Sequence, residues 1–250
     1  MKPITFFVLS FVLIVALFSS CSQNIAPVTA PTITRTGLLA YYPLDGNVGD
    51  SSGSGHHGTA TILAATIDRF GNANKACLFN GYSSWINLGT WFREPYFTIS
   101  MWVKPNSTES NYAAIINNIG VRLPVIGSLG WSFQQVDTNA NIMSFNCSFD
   151  TTHVPTSARV LLTANIWQHV ACVKDSSTMY IYVNGTQQDS LPQPGPVIYH
   201  GDEYLSVGCM HNNTSILQYW GGALDDIRLY NRALSTDEIL ALFHEGGWGL

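Results

Sequence analysis

The sequence predicts an all-β protein: two antiparallel sheets packed as a sandwich, with one short helix at the C-terminal end. Three observations predict it. First, roughly a dozen short segments between residues 38 and 230 alternate apolar and polar side chains, with turn signals at intervals of about ten residues. Second, aromatic residues make up 12% of the 250-residue chain and charged ones 11%, a balance that suits half-buried strands joined by neutral loops. Third, the last alternating segment, 222–230, leads through Asn231-Arg232-Ala233-Leu234 into Ser235-Thr236-Asp237-Glu238. There the Ser235 hydroxyl can accept from the backbone of Glu238 while the Glu238 carboxylate reaches back, a capping box that starts a helix over 238–244. A sandwich of this length commonly forms one domain. The net charge is −5, with Lys and Arg scattered singly; without a basic stripe, nucleic acid is not an expected partner.

In chain order, Lys2 precedes an apolar run from Ile4 to Phe18 that only Thr5 and Ser10 interrupt. The run is short for a membrane span of ~20 residues and reads as a secretory signal peptide over 1–20. It ends in Phe18-Ser19-Ser20-Cys21, which resembles a bacterial lipobox with Phe where Leu is usual. The resemblance implies that Cys21 becomes the first mature residue and carries lipid, so the expected protein is exported and anchored to the cell envelope by lipid alone. The other reading is an ordinary cleaved signal with an incidental Cys. Residues 21–36, rich in Pro, Thr and Ala without apolar periodicity, read as a flexible tether, and 37–250 as the folded domain.

The first strand is expected at 38–44, followed by a polar glycine-rich loop over 45–58 that has no helix after it and so is no phosphate cradle. Strands follow at 59–63, 76–79 and 85–88, then at 97–103, where Phe97, Ile99 and Met101 share one face and Thr98, Ser100 and Trp102 the other. The series continues at 113–119, 131–136, 142–149, 167–174 and 179–183. Asn184-Gly185 closes a tight hairpin, because both residues tolerate positive φ, and 204–208 and 222–230 complete the set. Cys77, Cys147, Cys172 and Cys209 allow three complete pairings that sequence does not separate. Their registers favour inward-facing thiols over a disulfide framework, with one bridge left open. Nothing has zinc-site spacing.

Five blocks in order carry a family resemblance: Leu39-Ala40-Tyr41-Tyr42-Pro43-Leu44-Asp45-Gly46-Asn47 with Asp50-Ser51-Ser52-Gly53; Lys75-Ala76-Cys77-Leu78-Phe79-Asn80-Gly81; Phe97-Thr98-Ile99-Ser100-Met101-Trp102-Val103-Lys104-Pro105; Trp167-Gln168-His169-Val170-Ala171-Cys172-Val173-Lys174-Asp175 with Tyr182-Val183-Asn184-Gly185; and the closing strand and helix. Together, from about residue 37 to 245, they resemble the laminin-G-like jelly roll of the concanavalin A-like lectin/glucanase superfamily. The resemblance implies a two-sheet jelly-roll sandwich in which the closing strand lies beside the opening one.

Similar domains often hold calcium where the opening loop meets the final strand, which implies a structural Ca²⁺ here. The cation needs six to eight oxygens, and Asp45, Asn47 and Asp50 supply candidates from the loop. Asp225 and Asp226 are adjacent carboxylates; strand alternation would send them to opposite faces, so Asp225 is the one expected to join. The alternative is that Asp45 and Asp50 only initiate turns. Carbohydrate binding is the function the resemblance implies first. The loop aromatics Trp91, Tyr96, Tyr199, His200 and Tyr204 are the candidates, with Asn212 and Asn213 as polar partners, while Trp85, Trp102 and Trp167 are assigned to strand packing.

Catalysis is not expected. Glycoside hydrolases of this superfamily carry their carboxylates in a Glu-x-Asp-x-Glu type pattern, and Glu94, Glu109, Glu203, Glu238 and Glu245 are not so spaced. No Gly-x-Ser-x-Gly elbow is present. The remaining reading is a protein-binding adhesion or envelope-assembly domain without sugar affinity, which the sequence does not separate from a glycan binder.

Overall fold

The computed structural model describes residues 31–107, 112–121, 128–136, 141–148, 157–212 and 215–250. The predicted signal peptide, Cys21, the tether up to residue 30, Phe149 and Asn213 lie outside the described residues. The strands are β1 Leu38–Tyr42, β2 Thr59–Thr61, β3 Ala64–Thr66, β4 Ala76–Asn80, β5 Trp85–Asn87, β6 Phe97–Pro105, β7 Ala114–Val121, β8 Ser128–Gln135 and β9 Ile142–Cys147. There follow β10 Ser157–Leu161, β11 Gln168–Lys174, β12 Thr178–Val183, β13 Thr186–Pro192, β14 Leu205–Val207, β15 Met210–Asn212, β16 Ser215–Leu217 and β17 Gly221–Tyr230. Helix α1, Thr236–Phe243, and a 3-10 turn at Glu245–Gly247 close the chain. None of the helices among the described residues is long and apolar enough to cross a membrane.

The first sheet has the order β13-β12-β11-β6-β17-β4-β3, with β1 also paired to β17; the second runs β10-β9-β8-β7-β14-β5-β2. Both are antiparallel, and β15-β16 forms a separate hairpin. The expected neighbourhood of opening and closing strands is present: Leu38 pairs with Tyr230 and Tyr42 with Ile227. Apolar residues of both sheets, among them Phe79, Phe97, Ile99, Met101, Trp131, Phe133, Phe145 and Leu229, fill the space between them. The strands β3, β10, β13, β15 and β16 were not expected: β3, β15 and β16 have three residues each, too few to show alternation, and β13 is polar and exposed along most of its length, whereas β10 does alternate, burying Ala158 and Val160, and was missed.

A second, smaller core lies on the far side of the first sheet, where Ala171, Val173, Tyr182 and Tyr230 pack with Leu234, Ile239 and Leu242. This explains why β6 is buried on both faces from Phe97 to Val103. The helix that makes it possible starts as expected: Ser235 caps Thr236–Phe243, and the capping box with Glu238 is complete. Residues 33–36, expected to be tether, are held on this face. Ile33 packs against the second core, and the Thr34 carbonyl accepts from the Tyr230 hydroxyl at 3.2 Å. Arg232 donates to the Thr36 carbonyl at 2.9 Å, so the domain's contacts begin before residue 37.

All four described cysteines are free and buried. Burial pushes the Cys77 and Cys209 thiols up to about 11 and about 12 and raises those of Cys147 and Cys172 as well.

Candidate functional site

The predicted calcium residues do not form an oxygen cage. Asp50 instead organises its own loop, accepting the backbone N–H groups of Tyr41 (3.0 Å), Ser52 (2.8 Å) and His56 (3.0 Å). Burial opposes its ionisation, but these N–H groups and the Ser52 hydroxyl outweigh it and hold the carboxyl below its usual range. Asp45 is bonded to Lys75 at 2.7 Å. The Asn47 side chain is spent on the Gly49 N–H and the Asp45 carbonyl.

Asp225 does not point away from Asp226, as alternation would require. On one side of β17, Gly221–Leu224 pair with β4 and Ile227–Tyr230 with β1; between these partners the register slips and Asp226 adopts φ 51°. The bulge breaks the two-residue period, and both carboxylates reach one guanidinium. Arg69 Nη1 lies 2.9 Å from Asp225 and 2.7 Å from Asp226, with its side chain 4% exposed. Tyr41 donates to Asp226, Arg228 bridges to Glu245 at 2.7 Å, and the Arg228 guanidinium sits 3.9 Å from the Tyr41 ring centre. Three carboxylates thus face two guanidinium groups. Burial first, and the charge of Asp226 second, push the Asp225 carboxyl up to about 8. Asp225 and Asp226 are thus paired with guanidinium groups of the chain itself. A cavity of about 320 Å³ borders this network, walled by Tyr41, Asp45, Asp68, Lys75 and the two aspartates.

A different arrangement lies on the outward face of the second sheet. Register aligns one residue from each of its seven strands: Thr59, Asn87, Ser206, Asn117, Ser132, Asn146 and Ser157. All are small, polar and uncharged. Toward β10 they bond one another, with Asn146 donating to Ser132 at 3.3 Å and Ser157 donating to Asn146. Asn117 donates to the Cys209 carbonyl beneath the β15–β16 hairpin. At the β2–β5 edge the row opens to solvent at Thr59 and Asn87.

Aromatic rings flank that open end. Ile86 belongs to the core between the sheets, so its neighbours Trp85 and Asn87 face outward. The His211 ring lies between Tyr204, stacked at 4.3 Å, and Trp85, edge-on at 5.3 Å. Burial holds the His211 imidazole below its ordinary range. Beside Asn87, Trp91 stacks on His56 at 3.7 Å and 10°. Its indole N–H donates to the Leu88 carbonyl at 2.7 Å, and the His56 carbonyl accepts from Tyr42. An open cavity of about 300 Å³ is walled by His56, His57, Thr59, Asn87, Gly89 and Trp91. Flat apolar rings beside neutral donors and acceptors suit a ligand that is apolar on one face and rich in hydroxyls at its edges.

Of the five predicted aromatics, then, Trp91 and Tyr204 belong to this face. The other three brace the molecule. Tyr199 donates its hydroxyl to the Glu94 carbonyl at 2.9 Å, Tyr96 lies 5.6 Å from the Lys174 ammonium, and the His200 N–H is bonded to Glu203. The Tyr199 hydroxyl is used internally because the 197–203 segment packs against the 93–96 segment. Trp85, assigned to packing, and His56, His211 and Asn87 were missed. The alternation Trp85-Ile86-Asn87 was the available signal for two of them; the histidines gave none. The Asn212 backbone ends β15, and it pairs with Ser215.

The fold and this face define a two-sheet lectin-type sandwich with a candidate small-molecule surface on its second sheet. Residues 80–240 match the Concanavalin A-like lectin/glucanases superfamily in its laminin-G-like form, and the chain belongs to that family. Among solved structures it is similar to domain 4 of AbnA, a GH43 extracellular arabinanase from Geobacillus stearothermophilus, in complex with arabinotriose. The match has 22% identity, a TM-score of 0.62, and covers 82% of this chain and 97% of that one. It is also similar to the binding domain of Paraclostridial Mosquitocidal Protein 1, at 18% identity, TM-score 0.61 and 83% of this chain. The binding domain of botulinum neurotoxin DC in complex with SialylT matches at 13% identity, TM-score 0.58 and 84% of this chain. The chain spans about half the length of these toxin domains, 52% in each case. No curated protein matches it.

Proposed function

We propose that this chain is a non-catalytic carbohydrate-binding module, exported and held at the cell envelope by lipid on Cys21. The observation that carries the reading is the pair of aromatic–imidazole stacks, Trp91 on His56 and Tyr204 on His211, flanking the neutral floor of Thr59 and Asn87. A sugar ring needs an apolar surface for its C–H face and neutral hydrogen-bonding groups for its hydroxyls, and both are within reach there. Support also comes from the arabinanase domain, which is matched over nearly its whole length and was solved in complex with arabinotriose. The adjacent carboxylates Asp225 and Asp226, committed to Arg69, supply no free acid–base pair for glycoside cleavage.

The test is calorimetric titration of the non-lipidated Cys21→Ser chain against a panel of oligosaccharides that includes arabinotriose. Saturable binding that Trp91→Ala and Tyr204→Ala each weaken about tenfold, equivalent to about 1.4 kcal/mol, is the expected result. Binding indifferent to both substitutions would remove the proposed face. Metabolic labelling with a fatty-acid probe, compared between wild type and Cys21→Ser, tests the anchor.

A further inference from the structure

We infer that this face takes an uncharged glycan, a chain of neutral sugars without carboxylate, sulfate or amino substituents. The inference rests on the carbohydrate-binding reading and deepens it. The walls of the cavity beside Trp91 contain no Asp, Glu, Lys or Arg; the two imidazoles there are His56, stacked on Trp91, and His57, whose Nδ1 accepts the Asp50 N–H and so carries no proton of its own. The aligned row that continues from it contains none either; each strand contributes Ser, Thr or Asn, with Thr59 and Asn87 open to solvent next to the cavity and Ser206, Asn117 and Ser132 buried beyond them. In a chain with 27 Asp, Glu, Lys and Arg residues, from 11 basic and 16 acidic, one whole rung of a sheet is free of them.

The ionised groups nearest in sequence are committed elsewhere. Asp50 spends its oxygens on loop N–H groups. Arg93 bonds the Phe92 and Glu203 carbonyls and pairs with the Glu203 carboxylate at 3.3 Å, and Glu203 is fully buried.

A carboxylated or sulfated sugar entering this site would lose water from its charge and find no guanidinium or ammonium to replace it. An amino sugar would find no carboxylate. Leaving a charge unpaired as it is desolvated carries a large penalty, so both classes are rejected by an electrostatic cost the neutral class does not meet. Asn87 and Thr59 offer an amide and a hydroxyl, each able to donate and accept, which matches neutral hydroxyls. Attraction that does not rely on ion pairing is also insensitive to salt.

The experiment uses the full chain with Cys21→Ser and five probes: arabinotriose and xylotriose as neutral sugars, sialyllactose and trigalacturonate as anionic ones, and chitosan trimer as the cationic one. Each is titrated at about 50 and about 500 mM NaCl, a range over which the screening length falls from about 14 to about 4 Å. Asn87→Asp is run in parallel to place a charge on the floor. The expected result is that only neutral probes bind, that their Kd changes less than about twofold with salt, and that Trp91→Ala weakens them. Asn87→Asp is expected to admit the chitosan trimer. Trp91-dependent binding of an anionic or cationic probe to the wild type, weakening with salt, overturns this inference and leaves the carbohydrate-binding reading standing. Silence from every probe overturns both.

Discussion

Replacing Arg69 by leucine removes the guanidinium that contacts both Asp225 and Asp226. At 2.9 and 2.7 Å, and with an effective dielectric of about 20, each contact is worth about 6 kcal/mol of gross Coulomb attraction when its carboxylate is ionised. Much of that offsets the desolvation of three buried charges, and removing one partner of a buried ion pair costs about 3–5 kcal/mol net. Arg69 also lies 4.6 Å from the Trp102 ring centre and 4.5 Å from that of Phe70, contacts that leucine replaces only in part. At about 2–4 °C per kcal/mol for a domain of this size, the melting temperature should fall by about 6–20 °C. The pH dependence is the sharper signature. Burial and the neighbouring Asp226 place the folded pKa of Asp225, about 8, above an unfolded value near 4. The folded state therefore holds that proton more tightly, and the stability it contributes is present in acid and lost as pH rises from about 4 through about 8. Without Arg69 the second carboxylate also loses its 2.7 Å partner and keeps only Arg228, at 3.7 Å, so the deficit of Arg69→Leu should be smallest near pH 5 and grow above neutrality. Thermal melts of both proteins across that range, with and without chelator, are the assay. A deficit equal at both ends of the range would refute the argument, as would a wild-type melting temperature lowered by chelator, since the chain would then need an external cation after all.

Three further outcomes follow from the packing. Gly130 has φ 99°, and a Cβ there would stand 1.9 Å from the Asn118 carbonyl oxygen of the paired strand, so Gly130→Ala should destabilise by about 3 kcal/mol or more in denaturant titration. The Lys174 ammonium donates to the carbonyls of Asp175, Gln193 and Gly195; Lys174→Met leaves them unpaired and should cost about 2–4 kcal/mol in the same measurement. Cys77, Cys147, Cys172 and Cys209 are buried with raised thiol pKa values. In the Cys21→Ser chain all four should stay silent to a thiol-specific chromogenic reagent at neutral pH and react together on denaturation.

The amino-acid sequence by itself determined what depends on neighbours a few residues apart. Alternation at Phe97-Thr98-Ile99-Ser100-Met101 marks a strand wherever it is placed, and Ser235 with Glu238 caps a helix using atoms within one turn. The order of the blocks then implied which strands close the sandwich. What lay beyond that was a matter of registration between distant segments. The carboxylates of Asp225 and Asp226 share Arg69 because β17 changes partner from β4 to β1 between them, and a bulge there cancels the alternation that assigned only Asp225 to a site. Trp85 faces outward for a reason legible in its own strand, yet it belongs to an aromatic cluster only because the β15–β16 hairpin lays His211 against it and Tyr204. Side-chain period tells which face a residue occupies; it is silent on what another part of the chain sets upon that face.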